Sequence, residues 1–188
     1  MSKFYSEYGE DRWIAENVVL PEKSFYLDLG CAWPFLNSNT AFLRDRGWDG
    51  ANIDGNASYE PNWSGVGTFT NCVIGDGRVA RFITEGVPEL SRIAPAPALP
   101  SEIVKTRRLD ELLEYSPRVD FISVDLEGGE YDALQTFDWE KNRPVCIVAE
   151  YATWHPDGVV EDFRVKEMLE AMGYRERYRT KANLIFTL

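Results

Sequence analysis

Carboxylate side chains stand at or next to the ends of short apolar segments in this chain. These acids are Asp28, Asp54, Asp76, Asp125 with Glu127, and Glu150. Apolar runs that end at turn residues are typical of buried β-strands. Because ligands of open α/β sheets bind beyond the carboxyl ends of the strands, we expect these acids to surround one site. A ring of acids suits a ligand with hydroxyl groups or positive charge and disfavours a polyphosphate.

The first apolar segment ends in Gly30, and no further glycine follows until Gly47. A phosphate-binding loop usually has several glycines, and both the dinucleotide pattern and the P-loop pattern are absent. S-adenosylmethionine carries a sulfonium, an amino-acid zwitterion and a ribose diol but no phosphate, so it fits this sequence better. An acid at the second strand end can accept both ribose hydroxyls, which predicts that role for Asp54.

The other strand ends are predicted to bind other parts of the same cofactor. We expect Asp28 and the Gly30 turn beside the methionine portion, because glycine lets the backbone approach a ligand closely. The N-terminus of the next helix is predicted to bind the cofactor's carboxylate. This terminus comprises Asn37, Ser38, Asn39 and Thr40. Asp76 is expected near the adenine, although the glycines on both sides of it also fit an ordinary hairpin turn.

Strand-like and helix-like segments alternate along the chain. Strands are predicted at residues 25–30, 50–54, 68–74, 120–126 and 145–150, with residues 78–83 as a hairpin partner of the third strand. An amphipathic helix is predicted at residues 160–172, and residues 174–179 and 184–188 are expected to form an antiparallel pair at one sheet edge. The alternation predicts an α/β fold with a doubly wound, mostly parallel sheet.

Composition limits the class of protein. The chain has 188 residues, which indicates one domain, and 31 Asp and Glu against 20 Lys and Arg give a net charge of −11. This balance argues against nucleic acid and anionic membrane partners. The N-terminus lacks an apolar run and no stretch is long enough to span a bilayer, so we expect a cytoplasmic protein. Three separated cysteines fit a reducing compartment.

Four stretches resemble the FkbM family of S-adenosylmethionine-dependent methyltransferases. Residues 4–11 resemble the family's opening Ser-Gln-x-Gly-Glu/Gln-Asp, and residues 27–40 its first strand and loop. Residues 47–56 resemble its Gly-Trp-x-Gly strand with the ribose acid, although Gly55 replaces the common proline. Residues 120–130 resemble its Asp-x-Glu-Gly-x-Glu signature.

The resemblance implies a class I, Rossmann-like methyltransferase fold with a seven-stranded sheet and an antiparallel C-terminal edge. It also implies O-methylation, often of sugar-containing or natural-product hydroxyls. Residues 1–20 are then an N-terminal helical cap, with Tyr8 and Gly9 near the cofactor or packed on the sheet edge. The proline-rich residues 86–102 form either a surface connector or a lid over the site.

Three alternatives stay open for the group that activates an acceptor hydroxyl. Asp125 and Glu127 can reach one cleft, so Glu127 is one candidate base, unless it binds the cofactor's ammonium or faces a helix N-terminus. His155 is another candidate, because histidine titrates near neutral pH. A third reading joins Asp125, Glu127, Glu150 and His155 around a Mg²⁺ ion that lowers the hydroxyl pKa.

Three hypotheses of function compete at this point. The first is a methyltransferase that acts on a glycan or small-molecule hydroxyl, with a homo-oligomer as one way to supply acceptor contacts that the short chain lacks. The second is a non-catalytic module of the same fold that binds the cofactor or a partner. The third is a nucleotide-using Rossmann enzyme such as a dehydrogenase, which the missing glycine pattern disfavours.

Overall fold

The computed structural model describes residues 3–84, 88–94, 101–155 and 158–188, with no side-chain description for Glu89, Trp154 and His155. The helices are α1 (Glu10–Asn17), α2 (Ala41–Arg44), α3 (Glu60–Trp63), α4 (Leu109–Leu112), α5 (Glu130–Leu134) and α6 (Arg164–Ala171). The strands are β1 (Phe25–Leu29), β2 (Asp49–Asp54), β3 (Thr70–Asn71), β4 (Val79–Ile83), β5 (Arg92–Ala94), β6 (Glu102–Lys105), β7 (Val119–Val124), β8 (Cys146–Glu150), β9 (Ala152–His155), β10 (Gly158–Glu161), β11 (Arg175–Arg179) and β12 (Asn183–Thr187). Short 3₁₀ turns lie at Ala57–Tyr59 and Pro88–Leu90.

Seven strands form the main sheet, in the order β11-β12-β8-β7-β1-β2-β3. Pairing is parallel from β8 to β3, whereas β12 runs antiparallel to both of its neighbours. The predicted antiparallel pair at one edge is therefore confirmed. The fold is mixed α/β with a mostly parallel sheet of seven strands, as the sequence predicted.

The two faces of the sheet carry separate apolar clusters because side chains alternate along each strand. Leu27 and Ile122 lie in the cluster that includes Leu134 of α5 and Leu169 of α6. Tyr26 and its sheet neighbours lie in the other cluster with residues of α1 and α2. The central strands are thus buried on both faces and leave only their ends for a ligand.

The third predicted strand is largely wrong. Only Thr70 and Asn71 pair with β2. Further along, the backbone pairs elsewhere: Arg107 N donates to Val73 O at 2.9 Å and Gly75 N donates to Arg107 O at 3.0 Å. The segment thus joins the chain that follows β6 and leaves β2.

Two further expectations about local pairing are also corrected. The strand β4 does not pair with β3 but lies between β5 and β6 in a separate antiparallel sheet, here called the small sheet. The helix predicted from residue 160 begins only at Arg164, because Val159 and Val160 pair with β9 in a hairpin. Valine's branched side chain favours the strand there.

The described residues 3–20 contain α1, whose Ile14 is fully buried within the second apolar cluster. In the described ranges, no helix is both long and apolar enough to cross a membrane.

Candidate active site

A cavity of about 520 Å³ opens at the carboxyl ends of β1, β2, β7 and β8. This size lies within the ~300–1,000 Å³ typical of small-molecule sites. The cavity brings together ten of the predicted site residues. They are Tyr8, Asp28, Gly30, Asn37, Ser38, Asn39, Asp54, Asp125, Glu127 and Glu150.

Gly30 lines this cavity at a close approach between the ends of β1 and β7. Its φ of +75° is a left-handed conformation, and its N–H donates to Ile53 O at 2.9 Å. A Cβ at position 30 would lie 1.7 Å from the carbonyl oxygen of Asp125. Only glycine lets the end of β1 pass so close to the end of β7, and this holds the two strand ends side by side.

Asp54 is held rigidly at the end of β2. Its carboxylate accepts hydrogen bonds from Ala32 N at 3.0 Å and from Asn56 N at 2.8 Å, one on each oxygen. Burial raises its pKa, and the two backbone hydrogen bonds oppose that rise. Each carboxylate oxygen keeps a second lone pair, so Asp54 can still accept two hydroxyl hydrogen bonds from a diol.

The carboxylate of Asp28 accepts a hydrogen bond of 2.6 Å from the hydroxyl of Thr40, which is not itself part of the cavity lining. Burial raises the pKa of Asp28 to about 6, and Arg44 and the Thr40 hydrogen bond oppose this rise. Arg44 also donates to Thr40 and to the carbonyl of Pro34, so it ties the loop after β1 to α2. Thr40 therefore supports the site from outside the cavity lining.

The helix that follows this loop is short, and part of its N-terminus is already capped within the protein. The helix α2 has only four residues, and Ser38 Oγ already accepts from the N–H groups of Thr40 and Ala41 at 3.3 and 3.1 Å. Asn39 is also engaged, because its amide donates to Ser123 Oγ. Ser38 and Asn39 therefore line the site with side chains that already hydrogen-bond within the protein, and binding of the cofactor's carboxylate there stays a prediction.

Several predicted residues lie away from the cavity lining. The Asp76 carboxylate lies near the surface and pairs with Arg78, at 3.0 Å from its Nε. Gly9 precedes α1 with a φ of +84°, next to the lining residue Tyr8. The backbone of His155 lies in β9, but its side chain falls outside the described atoms, as does that of Trp154.

Three carboxylates at the floor of the cavity form what we call the acid cluster: Asp125, Glu127 and Glu150. Their oxygens lie within 4.8 Å of one another. Loss of solvation is the largest cause of the raised pKa values of Asp125 and Glu150, which hydrogen-bond to each other. Burial together with the nearby Glu130 raises the pKa of Glu127 to about 7, although Arg92 opposes this rise. Mg²⁺ at these residues stays a prediction.

The backbone of the acid cluster is held by Glu130 at the start of α5. One oxygen of Glu130 accepts from Leu126 N at 2.7 Å and from Gly128 N at 3.2 Å. The loop from Leu126 to Glu130 contains two residues in a left-handed conformation, Glu127 with φ +53° and Gly128 with φ +97°. A left-handed glutamate is uncommon, so the Glu130 hydrogen bonds stabilise a strained conformation that directs Glu127 into the cavity.

Replacing Glu130 tests this bracing role. We expect Glu130→Ala to lower the free energy of unfolding by about 2–3 kcal/mol, because two backbone N–H groups lose their acceptor. Glu130→Gln keeps an acceptor oxygen and is expected to cost less than about 1 kcal/mol. Urea unfolding of both variants provides the comparison. If the glutamine variant is as destabilised as the alanine variant, the charge rather than the hydrogen bonding is required.

The raised carboxyl pKa values also predict a pH dependence of stability. A carboxyl whose folded pKa exceeds its unfolded pKa stabilises the fold at low pH, and this contribution is lost as pH rises through the folded pKa. For Asp28 the change runs from 3.8 to about 6, which corresponds to roughly 3 kcal/mol in all, and only about 1 kcal/mol of this is lost between pH 5.5 and pH 8. We expect a higher melting temperature at pH 5.5 than at pH 8, with a smaller difference in Asp28→Asn. A higher melting temperature at pH 8 would contradict the assignment.

The small sheet supplies one wall of the cavity that motif reasoning missed. Phe82 of β4 and Ile93 of β5 contribute to this wall, and Pro88, Leu90 and Ser91, from the 3₁₀ turn and the residue after it, extend it. The proline content of residues 86–102 could have indicated this wall, and residues 86–87 and 95–100 of that region lie outside the described part of the chain. Its role as a lid remains a proposal.

Phe82 also accounts for the departure at Gly55 from the family pattern. A Cβ at position 55 would lie 2.4 Å from Cζ of Phe82, so any side chain there would displace the ring. Asn183 is a second missed residue, which lies opposite Glu150 in the register of β12 and β8 and donates to Glu10 at 2.9 Å.

A comparison with curated proteins finds no match for this chain. A family model described as the methyltransferase FkbM domain matches residues 37–176, which is more than half of the chain. The match includes Asp54, the acid cluster and most strands of the main sheet. This chain therefore belongs to the FkbM methyltransferase family.

Proposed function

We propose that this chain transfers a methyl group from S-adenosylmethionine to a hydroxyl group of a sugar, a glycan or a glycosylated small molecule. The observation that carries the proposal is the lining of the cavity. Seven of its residues are carboxylates, and none of the described lining residues is lysine or arginine. Such a lining disfavours phosphate-bearing nucleotides and suits a cationic, hydroxyl-rich cofactor.

The residues present fit this cofactor at two points. Asp54, fixed by two backbone amides, is assigned to the ribose diol. At Gly30, which lies close to Asp125, the cavity is lined by backbone and not by a side chain. We expect the methionine portion to bind there, next to Asp28. The bound cofactor supplies an electrophilic methyl group next to the acid cluster.

The chain's own contribution to the reaction is alignment and proton removal. The acceptor hydroxyl oxygen attacks the methyl carbon in line, the carbon–sulfur bond breaks, and sulfur keeps the electron pair. Correct alignment of two reactants supplies up to about 7–11 kcal/mol of such a barrier. We assign the base to Glu127, because a pKa of about 7 lets it accept the hydroxyl proton near neutral pH.

Asp54→Ala tests the assignment of the cofactor site. In wild-type protein, S-adenosylhomocysteine at 100 times its Kd should stabilise the fold by about 2.7 kcal/mol, seen as a raised melting temperature. We expect Asp54→Ala to lose most of this shift, because a carboxylate that accepts from both ribose hydroxyls is removed.

The matched control is Asp49→Ala, at the opposite, exposed end of the same strand. It should keep the full shift. Asp54→Asn serves as a second variant in case the alanine protein does not fold, since it keeps the side-chain volume. A full shift in both Asp54 variants would overturn the assignment.

A further inference from the structure

Three of the seven acids that line the cavity already have hydrogen-bond donors from the protein. Asp54 accepts from two backbone amides, and Asp28 accepts from a threonine hydroxyl. Glu10 accepts from the backbone of Tyr8, from a threonine hydroxyl and from the amide of Asn183. These three acids are therefore satisfied before any ligand arrives.

The acid cluster differs because the protein gives it few donors. Among the described residues, the Glu127 carboxylate has no hydrogen-bond donor, while Arg92 contributes only a nearby positive charge. Glu150 is buried and receives one long hydrogen bond, from the Thr153 hydroxyl at 3.4 Å. Its remaining partner is Asp125, and two carboxyls can hydrogen-bond only if one holds a proton.

The side chain of Asn183 is a second group beside the acid cluster that lacks a hydrogen-bond donor from the described residues. Its side chain lines the cavity, is 7 % exposed and lies opposite Glu150 in the sheet register. Its Nδ2 donates to Glu10, which fixes the orientation of the amide because a carboxylate only accepts. Its Oδ1 is buried without a partner in the described part of the chain. A buried acceptor without a donor costs about 1–3 kcal/mol.

S-adenosylmethionine alone carries too little positive charge and too few donors for the carboxyl groups that line the cavity. S-adenosylmethionine has one ammonium, one sulfonium and one carboxylate, a net charge of +1. The cavity lining has seven carboxylates: Glu7, Glu10, Asp28, Asp54, Asp125, Glu127 and Glu150. Asp125 and Glu150 share a proton, so not all seven acids are charged, but hydrogen-bond donors for the acid cluster are still required on the acceptor side of the site.

We propose that the methyl acceptor carries a protonated primary amine on the carbon next to its reactive hydroxyl, as in an amino sugar. The inference rests on the proposed function. Asp125 and Glu150 bind the ammonium, and Glu127 accepts the proton of the neighbouring hydroxyl. The spacing within 4.8 Å allows all three acids to reach the two adjacent groups at hydrogen-bond distance. An ammonium offers three donors to carboxyl groups that receive few donors from the protein.

The test measures binding of three sugars to protein saturated with S-adenosylhomocysteine. The probes are 2-amino-2-deoxyglucose, its N-acetyl derivative and glucose, with MgCl₂ as a fourth ligand. We expect the amino sugar to bind at least about 10-fold more tightly than the two neutral sugars, as charge-assisted hydrogen bonds imply. Glu150→Gln should remove most of this preference. The control Glu111→Gln, an exposed acid in α4, should retain it.

Three other outcomes would overturn the inference, and each has a different meaning. Equal affinities for the three sugars, or an unchanged preference in Glu150→Gln, would mean that the cluster does not select an amine. Binding of Mg²⁺ alone would make the cluster a metal site. If S-adenosylhomocysteine itself fails to bind, the proposed function falls first, and the sugar experiment is not needed to show it.

Discussion

Gly30→Ala is expected to lower the free energy of unfolding by about 3–5 kcal/mol. Part of this, about 1–2 kcal/mol, is the cost of placing an alanine in a left-handed conformation. The rest arises because the new Cβ would lie 1.7 Å from a backbone oxygen of Asp125, so that one of the two strand ends must move. The same movement displaces two lining segments of the cavity, so binding of S-adenosylhomocysteine should be lost as well.

Gly65 provides a matched control for Gly30. Its φ is also +75°, but nothing lies within 4 Å of the position of its Cβ. Gly65→Ala should therefore show only the conformational cost of about 1–2 kcal/mol. Urea unfolding measures both variants, with S-adenosylhomocysteine binding as the second readout. Equal destabilisation by the two substitutions would show that close approach of β1 and β7 is not required.

Glu127→Gln is expected to reduce kcat for methyl transfer by about 10²–10⁴-fold, the usual contribution of a positioned base. Affinity for S-adenosylhomocysteine should change by less than about 2-fold, because the ribose and methionine portions are assigned elsewhere. In the wild type, kcat should rise with pH through about 7, since Glu127 must be deprotonated to accept a proton. The glutamine variant should lose this rise.

The measurement follows S-adenosylhomocysteine production with the amino sugar as acceptor, and Glu111→Gln is the control. Full activity in Glu127→Gln would exclude Glu127 as the base and direct attention to His155. A wild-type protein that binds the cofactor but methylates no hydroxyl in a broad panel would instead support the alternative of a non-catalytic binding module.

The sequence predicted best the elements whose pattern is local. The strands β1, β7 and β8 are continuous apolar runs buried on both faces, and such runs leave little choice of structure. The acids at their ends follow directly from strand direction, which is why Asp28, Asp54 and Glu150 were found. The site was therefore predictable wherever it depends on strand ends.

The predictions that were wrong depend on partners that a local pattern does not reveal. The chain after Asn71 leaves β2 because residues near Arg107, more than thirty positions later, offer it backbone hydrogen bonds. Asp76 closes on Arg78 because that residue is two positions away and offers both a backbone amide and a guanidinium. The hairpin at Val159 and Val160 forms because β9 pairs with it.

The remaining parts of the site are contributed by tertiary contacts. Phe82 reaches the cavity only because the small sheet folds over Gly55. Glu130 stabilises the loop that carries Glu127 through hydrogen bonds to Leu126 N and Gly128 N. The signature motif includes these residues, but their sequence does not reveal the hydrogen bonds. The unpartnered Oδ1 of Asn183 depends on the pairing of β12 with β8 and on α1 placing Glu10 beside it.

Calorimetric titration with S-adenosylhomocysteine and, separately, with NAD⁺ tests the central claim most directly. We predict that wild-type protein binds one S-adenosylhomocysteine per chain and gives no heat with NAD⁺, because the acid-lined cavity repels a pyrophosphate. Binding of NAD⁺, or the absence of S-adenosylhomocysteine binding by folded wild-type protein, would contradict the account.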